Sequence, residues 1–147
     1  MGAICARLEA IPKEEALQFE SDTTTVTSTK SNKGGPKRIY IMTLGVLAAY
    51  RGRGIGQKLV QSVMDYYESY TKMQQEDESK TEKKSGANAG DQHELDGVKQ
   101  VVLHVQNNNE DAIDFYVNKF GFEKGELIEN YYSKIDPPHA FILRKVL

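Results

Sequence analysis

Cysteine is nearly absent from this chain: Cys5 is the only one in 147 residues. One thiol cannot close an intramolecular disulfide or build a multi-cysteine zinc site. Such usage points to a reducing intracellular compartment, the cytoplasm first, with the nucleus not distinguished from it. Long apolar runs are missing too. None approaches the roughly 18 residues that a membrane span needs, and the N-terminus lacks the basic start, apolar stretch and cleavage site of a secretory signal. A surplus of one charge sign is also lacking: 19 Lys+Arg face 21 Asp+Glu, for a formal net charge of -2. That balance gives no global pull toward nucleic acid or an anionic membrane. No carboxylate pair or metal-ligand cluster appears. His93 and His139 have no partner at ligand spacing, so no metal is expected. What is present is 39% apolar and 27% charged residues, enough for one domain whose core is diluted by polar segments.

The polar segments are localised. Between Pro12 and Pro36 the chain runs through TTTVTSTKSNKGG and reads as a long, poorly ordered loop. From Met73 to Asp96 it loses periodicity and reads as a disordered insertion. Around these lie regular elements. Met1–Leu8 and Arg38–Val46 read as strands, the second central and bent near Gly45. Ile55–Tyr70 carries a helical stripe of Ile55, Leu59, Val63 and Tyr67, with Val60 and Met64 beside it. Val98–Val105 reads as a strand. Asn107–Asn109 caps a short helix, Glu110–Phe120, with Ala112, Ile113, Tyr116 and Phe120 on one side and Gly121 at its left-handed terminus. Phe122–Ile128 and Ala140–Val146 are two further strands. This order predicts a mixed α/β sheet with a parallel pair in its middle. Cys5 reads as a small buried apolar residue.

The segment Tyr50-Arg51-Gly52-Arg53-Gly54-Ile55-Gly56 lies between a strand and a helix. Glycines let the backbone approach a ligand closely, and the first amides of the following helix have no intrahelical partner. The helix dipole adds partial positive charge there, so the turn suits a pyrophosphate. A plain tight turn explains the same residues, and the spacing is neither a Walker loop nor a GxGxxG dinucleotide turn.

Arg51-x-x-Gly54-x-Gly56 after VLAAYRG resembles the acetyl-CoA signature of the GNAT superfamily of N-acetyltransferases. NNNEDAIDFYVNKFGFE resembles that superfamily's second cofactor segment. YIMTLGVLAAYRGRGIG, LHVQ, AIDFY and NYYSKIDPPHAFILRKVL are similar to the protein N-terminal acetyltransferases of the NatE catalytic-subunit type. The resemblance implies a GNAT fold, a sheet splayed at two central parallel strands with acetyl-CoA in the splay. It treats residues 1–147 as a single, partial domain carrying polar insertions at about 13–36 and 73–96. The strand, two helices and strand that open a complete GNAT domain are not matched. One residue more than usual separates Tyr116 from Lys119.

The resemblance also implies roles. Tyr40 and His104 deprotonate the acceptor amine, sharing an ordered water. His104 is the strand side chain that titrates near neutral pH, although by itself a lone histidine in VVLHV reads as a core residue. Tyr116 orients CoA or protonates its thiolate, with helix packing as the plain alternative. Leu44 offers a backbone amide to the developing oxyanion. Cofactor contacts fall to Leu44, Val46, Arg51, Gly52, Arg53, Gly54, Ile55, Gly56, Gln57, Asn109 and Tyr116. Met42 and Ile135 line a first-residue pocket, and the pair Tyr131-Tyr132 bonds the peptide backbone. The implied reaction moves acetyl from acetyl-CoA directly to a peptide α-amine, with methionine followed by a hydrophobic residue preferred. Partners are protein N-termini and an auxiliary ribosome-associated subunit. The rival readings are a lysine or small-amine GNAT enzyme, and a non-catalytic acetyl-CoA or partner-binding chain.

Overall fold

The computed structural model describes residues 1–13, 35–78, 95 and 97–147. Most of the two polar segments expected at 13–36 and 73–96 therefore lies outside the described residues. In chain order the elements are β1 (Gly2–Ala10), β2 (Lys37–Val46), a 3-10 turn (Ala48–Tyr50), α1 (Ile55–Glu78), β3 (Val98–Gln106), α2 (Glu110–Phe120), β4 (Glu123–Ile128) and β5 (Ala140–Val146). The chain forms two compact units. One comprises Met1–Cys5 and Thr43–Asp96, the other Ala6–Met42 and Gly97–Leu147.

In the first unit the start of β1 lies against the end of β2, and the Leu47 N–H donates to the Met1 carbonyl at 3.0 Å. The approach is so close that a Cβ on Gly2 would stand 2.8 Å from the Gly45 carbonyl oxygen, a distance that only glycine permits. Along α1 the deepest residues are Val60 and Met64, while Ile55, Leu59, Val63 and Tyr67 are half-buried. The buried line thus runs one position round from the stripe read in the sequence. The helix also passes the expected end at Tyr70 and continues to Glu78. Thr71–Glu78 contains Lys, Met, Gln and Glu, straight-chain residues that lose little rotamer freedom in a helix. Reading Met73 onward as an irregular insertion overlooked that local preference. Cys5 is exposed, contrary to its expected burial, because β1 shows only intermediate and exposed positions.

The second unit contains part or all of five strands in the order β1-β2-β3-β5-β4. The Ile11 N–H donates to the Pro36 carbonyl at 2.8 Å. β2 and β3 run parallel from Lys37/Val98 to Tyr40/Val102, with one register shift at Lys37/Arg38. β3 then pairs antiparallel with β5, and β5 with β4. This is the mixed sheet with a central parallel pair that the order of elements predicts. β3 sits in the middle, and Val101 and Val102 are fully buried, as expected of a strand covered on both faces.

α2 begins where the Asn109 side-chain oxygen accepts the Ala112 N–H at 3.2 Å and ends at Gly121 in the left-handed region, φ 68°. Ile113, Tyr116 and Phe120 form its buried side. At its C-terminus the Gly121 N–H reaches the carbonyls of Tyr116 and Val117.

Candidate active site

The turn into α1 is organised by its own backbone. The N–H of Tyr50 donates to the Leu47 carbonyl and that of Arg51 to the Ala48 carbonyl. The Arg51 Nε–H donates to the Val46 carbonyl at 3.0 Å and closes the loop. Gly52 and Gly54 take φ +73° and +72°, and a Cβ at either position would meet no heavy atom within 4 Å. Their positive φ, not crowding, is what demands glycine. No acidic residue stands in the first turn of α1, so nothing there repels an anion from the amides of Ile55, Gly56 and Gln57. Arg53 is exposed, its guanidinium 5.6 Å from the Tyr50 ring centre. An open, glycine-lined helix start flanked by two arginines fits a diphosphate.

In the second unit, the pairing of Tyr40 with Val102 sets Tyr40 and His104 on one face, since side chains alternate along a strand. Tyr40 Oη lies 3.0 Å from His104 Nδ1. This contact is direct, where the resemblance implies a shared water. Tyr40 Oη is also 2.8 Å from Tyr131 Oη. The Tyr131 ring stacks on the imidazole with centres 4.3 Å apart and 15° between planes. Tyr132 meets Tyr131 edge-on at 4.9 Å.

The acidities follow from these surroundings. Burial, then the hydrogen bond and charge of Tyr131, then the Glu9 and Tyr132 charges push the Tyr40 hydroxyl far above its ordinary 10. Tyr40 therefore keeps its proton at neutral pH. Burial pushes Tyr116 up to about 12, and burial followed by Tyr131 raises Tyr132.

The sequence of residues 11–79 matches the acetyltransferase (GNAT) family. The chain is 41% identical over 112 residues to N-alpha-acetyltransferase 50 of Danio rerio, an alignment covering 76% of this chain and 51% of that protein. The chain has the GNAT fold. Its fold also resembles that of Arabidopsis thaliana Naa50 in complex with the bisubstrate analogue CoA-Ac-MVNAL, with 28% identity, a TM-score of 0.54 and coverage of 97% of this chain and 99% of that one. Arabidopsis thaliana NAA60 in complex with acetyl-CoA shares the fold at 20% identity and a TM-score of 0.63, over 99% of this chain and 65% of that one. The GNAT chain described here spans about half the length of the curated relatives it matches.

The other residues singled out in this GNAT chain fall as follows. Leu44 and Val46 belong to the first unit and are half-buried. Asn109 spends its Oδ1 on the helix cap, and its amide nitrogen is not part of that bond. Tyr116 is 5% exposed, wedged edge-on against Phe115 and Phe122. Met42 and Ile135 are each 49% exposed and offer uncovered apolar surface. Among the described residues no group of three or more His, Cys, Asp or Glu could hold a metal ion.

Two features escaped the sequence reading. The Arg7 guanidinium stands 5.4 Å from the Tyr40 ring centre, and Glu9 bonds both Arg7 and Arg38. No local pattern signals that network, because Glu9 and Arg38 are 29 positions apart. The loop carrying Tyr131 is fastened by Gln106 Nε2, which donates to the Pro137 carbonyl at 2.8 Å, and by His139, whose Nδ1 accepts the Asn130 N–H at 3.3 Å. A histidine after a Pro-Pro pair, unassigned in the sequence, thus braces Asn130 at φ 54°.

Proposed function

We propose that this chain is a protein N-terminal α-acetyltransferase that uses acetyl-CoA and prefers an initiator methionine followed by a hydrophobic residue. The observation that carries this reading is the direct Tyr40–His104 contact in a chain 41% identical to an N-alpha-acetyltransferase. Acetyl-CoA, when bound, supplies an activated thioester carbonyl and a thiolate leaving group. The Arg51–Gly56 turn and the start of α1 hold its diphosphate, and the Leu44 amide supports charge on the acyl oxygen.

His104 takes the proton that the amine must lose. An α-amine has an ordinary pKa of about 7.8 and a lysine amine about 10.4, whereas imidazole sits at about 6.5. Proton transfer to imidazole is thus uphill by about one unit from an α-amine and about four from a lysine. The same base suits an N-terminus far better than an internal lysine. Tyr116 orients the thiol end by hydrogen bonding. With a hydroxyl pushed up to about 12, it is a poor donor of a full proton to a thiolate, whose ordinary pKa is about 8.5. Met42 and Ile135 supply apolar surface for the first side chain, and Tyr132 bonds the peptide backbone. We further propose a cytoplasmic setting, on nascent chains beside an auxiliary ribosome-bound subunit.

The test is a peptide panel with acetyl-CoA in which only the first two residues vary, alongside peptides with a blocked N-terminus and an internal lysine. Met-Leu peptides are expected to be acetylated at least tenfold faster than the lysine peptides. Equal rates overturn the N-terminal assignment. Affinity for acetyl-CoA with no product on any peptide overturns the catalytic one.

A further inference from the structure

We propose that His139 is a positioning residue that holds Tyr131 against the His104 ring, acting through the backbone of Asn130. The β4–β5 ladder reaches the pair Ile128/Ala140. Two residues later Asn130 takes φ 54°, a left-handed conformation that strains residues carrying a Cβ, asparagine less than most. This turn leads the chain out of the ladder. The Asn130 N–H then donates to the Nδ1 of His139 at 3.3 Å. A side chain thus closes the neck of the loop where a backbone carbonyl would continue a ladder.

Tyr131 is bracketed by that bond and one other. Before it, Asn130 is held by the His139 ring; after it, the Tyr132 N–H donates to the Pro138 carbonyl at 2.8 Å. Both acceptors belong to the adjacent residues Pro138 and His139. The His139 carbonyl in turn accepts the Asn107 N–H at 3.0 Å, so the bracket is referred to the end of the strand that carries His104. Inside it, the Tyr131 ring lies 4.3 Å from the imidazole with 15° between planes. Nδ1 accepts through a lone pair that only the ring supplies. Without it the Asn130 N–H turns to solvent, the strained residue relaxes, and the Tyr131 ring leaves the imidazole for part of the time. Resting on the acetyltransferase reading for this clause alone, a peptide must then re-order the loop as it binds, and its apparent affinity falls by the fraction of chains still ordered. Bound peptide restores the ordered form, so KM carries the loss and kcat does not.

Three substitutions in the full chain test this. His139→Asn keeps an acceptor bonded to Cγ, as Nδ1 is; His139→Gln moves the acceptor one bond outward; His139→Ala removes it. The chain is labelled with 15N-tyrosine, and solvent exchange of the Tyr132 amide is read by NMR at pH 8, its signal identified by loss in Tyr132→Phe. That amide bonds Pro138 and not the ring, so it reports the bracket as a whole. Exchange is expected to rise about fivefold in His139→Ala and His139→Gln, the worth of about one hydrogen bond, and to stay within about twofold of wild type in His139→Asn. KM for a Met-Leu peptide is expected to follow the same order, about fivefold up in the first two with kcat within about twofold. Unchanged exchange in His139→Ala overturns the proposal, and so does exchange in His139→Asn as fast as in His139→Ala. Faster exchange of the Val101 and Val102 amides as well assigns His139 to the stability of the whole fold and overturns it too. In an active wild-type chain, an unchanged KM in His139→Ala also overturns it. If exchange follows the expected order but the wild-type chain acetylates no peptide, the positioning stands and the acetyltransferase reading falls.

Discussion

Tyr40 holds its proton well above neutrality because burial and the neighbouring Tyr131 disfavour the phenolate, which supports the proposal that His104 is the base. The consequence is visible in a pH profile. Between pH 6 and 10, kcat/KM is expected to rise as the acceptor amine loses its proton, with no further limb from Tyr40 below pH 10. A limb that disappears in Tyr40→Phe would contradict this. His104→Ala is expected to lower the acetylation rate by about a hundredfold or more, the usual scale of general-base loss. Calorimetry should find CoA affinity within about twofold of wild type. Tyr116 gives a stability test. Its folded-state pKa is pushed up to about 12 against an ordinary 10, so the unfolded chain releases that proton first as pH rises. The associated stability is full below pH 10 and lost between about 10 and 12. Melting temperatures at pH 9 and 11.5 should therefore differ less in Tyr116→Phe than in wild type.

At the scale of elements, the turn before α1 tests whether positive φ is what matters. Since space is open around Gly52 and Gly54, a side chain there costs through backbone strain of roughly 1–2 kcal/mol. Gly54→Val is expected to weaken CoA binding by about tenfold, and Gly54→Asn by less, because asparagine tolerates the left-handed region. Equal affinities by calorimetry would return the glycines to a plain turn. α2 was legible from end to end, because Asn109 and Gly121 carry local chemistry that fixes both boundaries. The far end of α1 was not, because residues past Tyr70 lack an apolar stripe and hold the helix by propensity. The cluster itself was legible only as separate residues. Tyr40 and His104 are 64 positions apart, Tyr40 and Tyr131 91, and pairing register, which brings them together, is not written in either strand alone. Resemblance supplied the roles of these residues, while the direct Tyr40–His104 bond and the stacked Tyr131 ring come from the fold.

For the whole molecule, every residue proposed to act lies outside 79–94. Deleting that segment while keeping α1 to Glu78 is expected to leave CoA affinity within about twofold of wild type, measured by calorimetry. A larger loss would give the segment a part in binding. Within the second unit, the loop bearing Tyr131 is tied to the last residue of β3 and to the residue after it: Gln106 donates to the Pro137 carbonyl, and the Asn107 N–H donates to the His139 carbonyl at 3.0 Å. These ties leave from positions two and three residues beyond His104. The phenol and the imidazole it stacks on are therefore surveyed from one benchmark. The distance between the two rings is thereby referred to one short stretch of backbone, and a change in the loop's far end need not reach it.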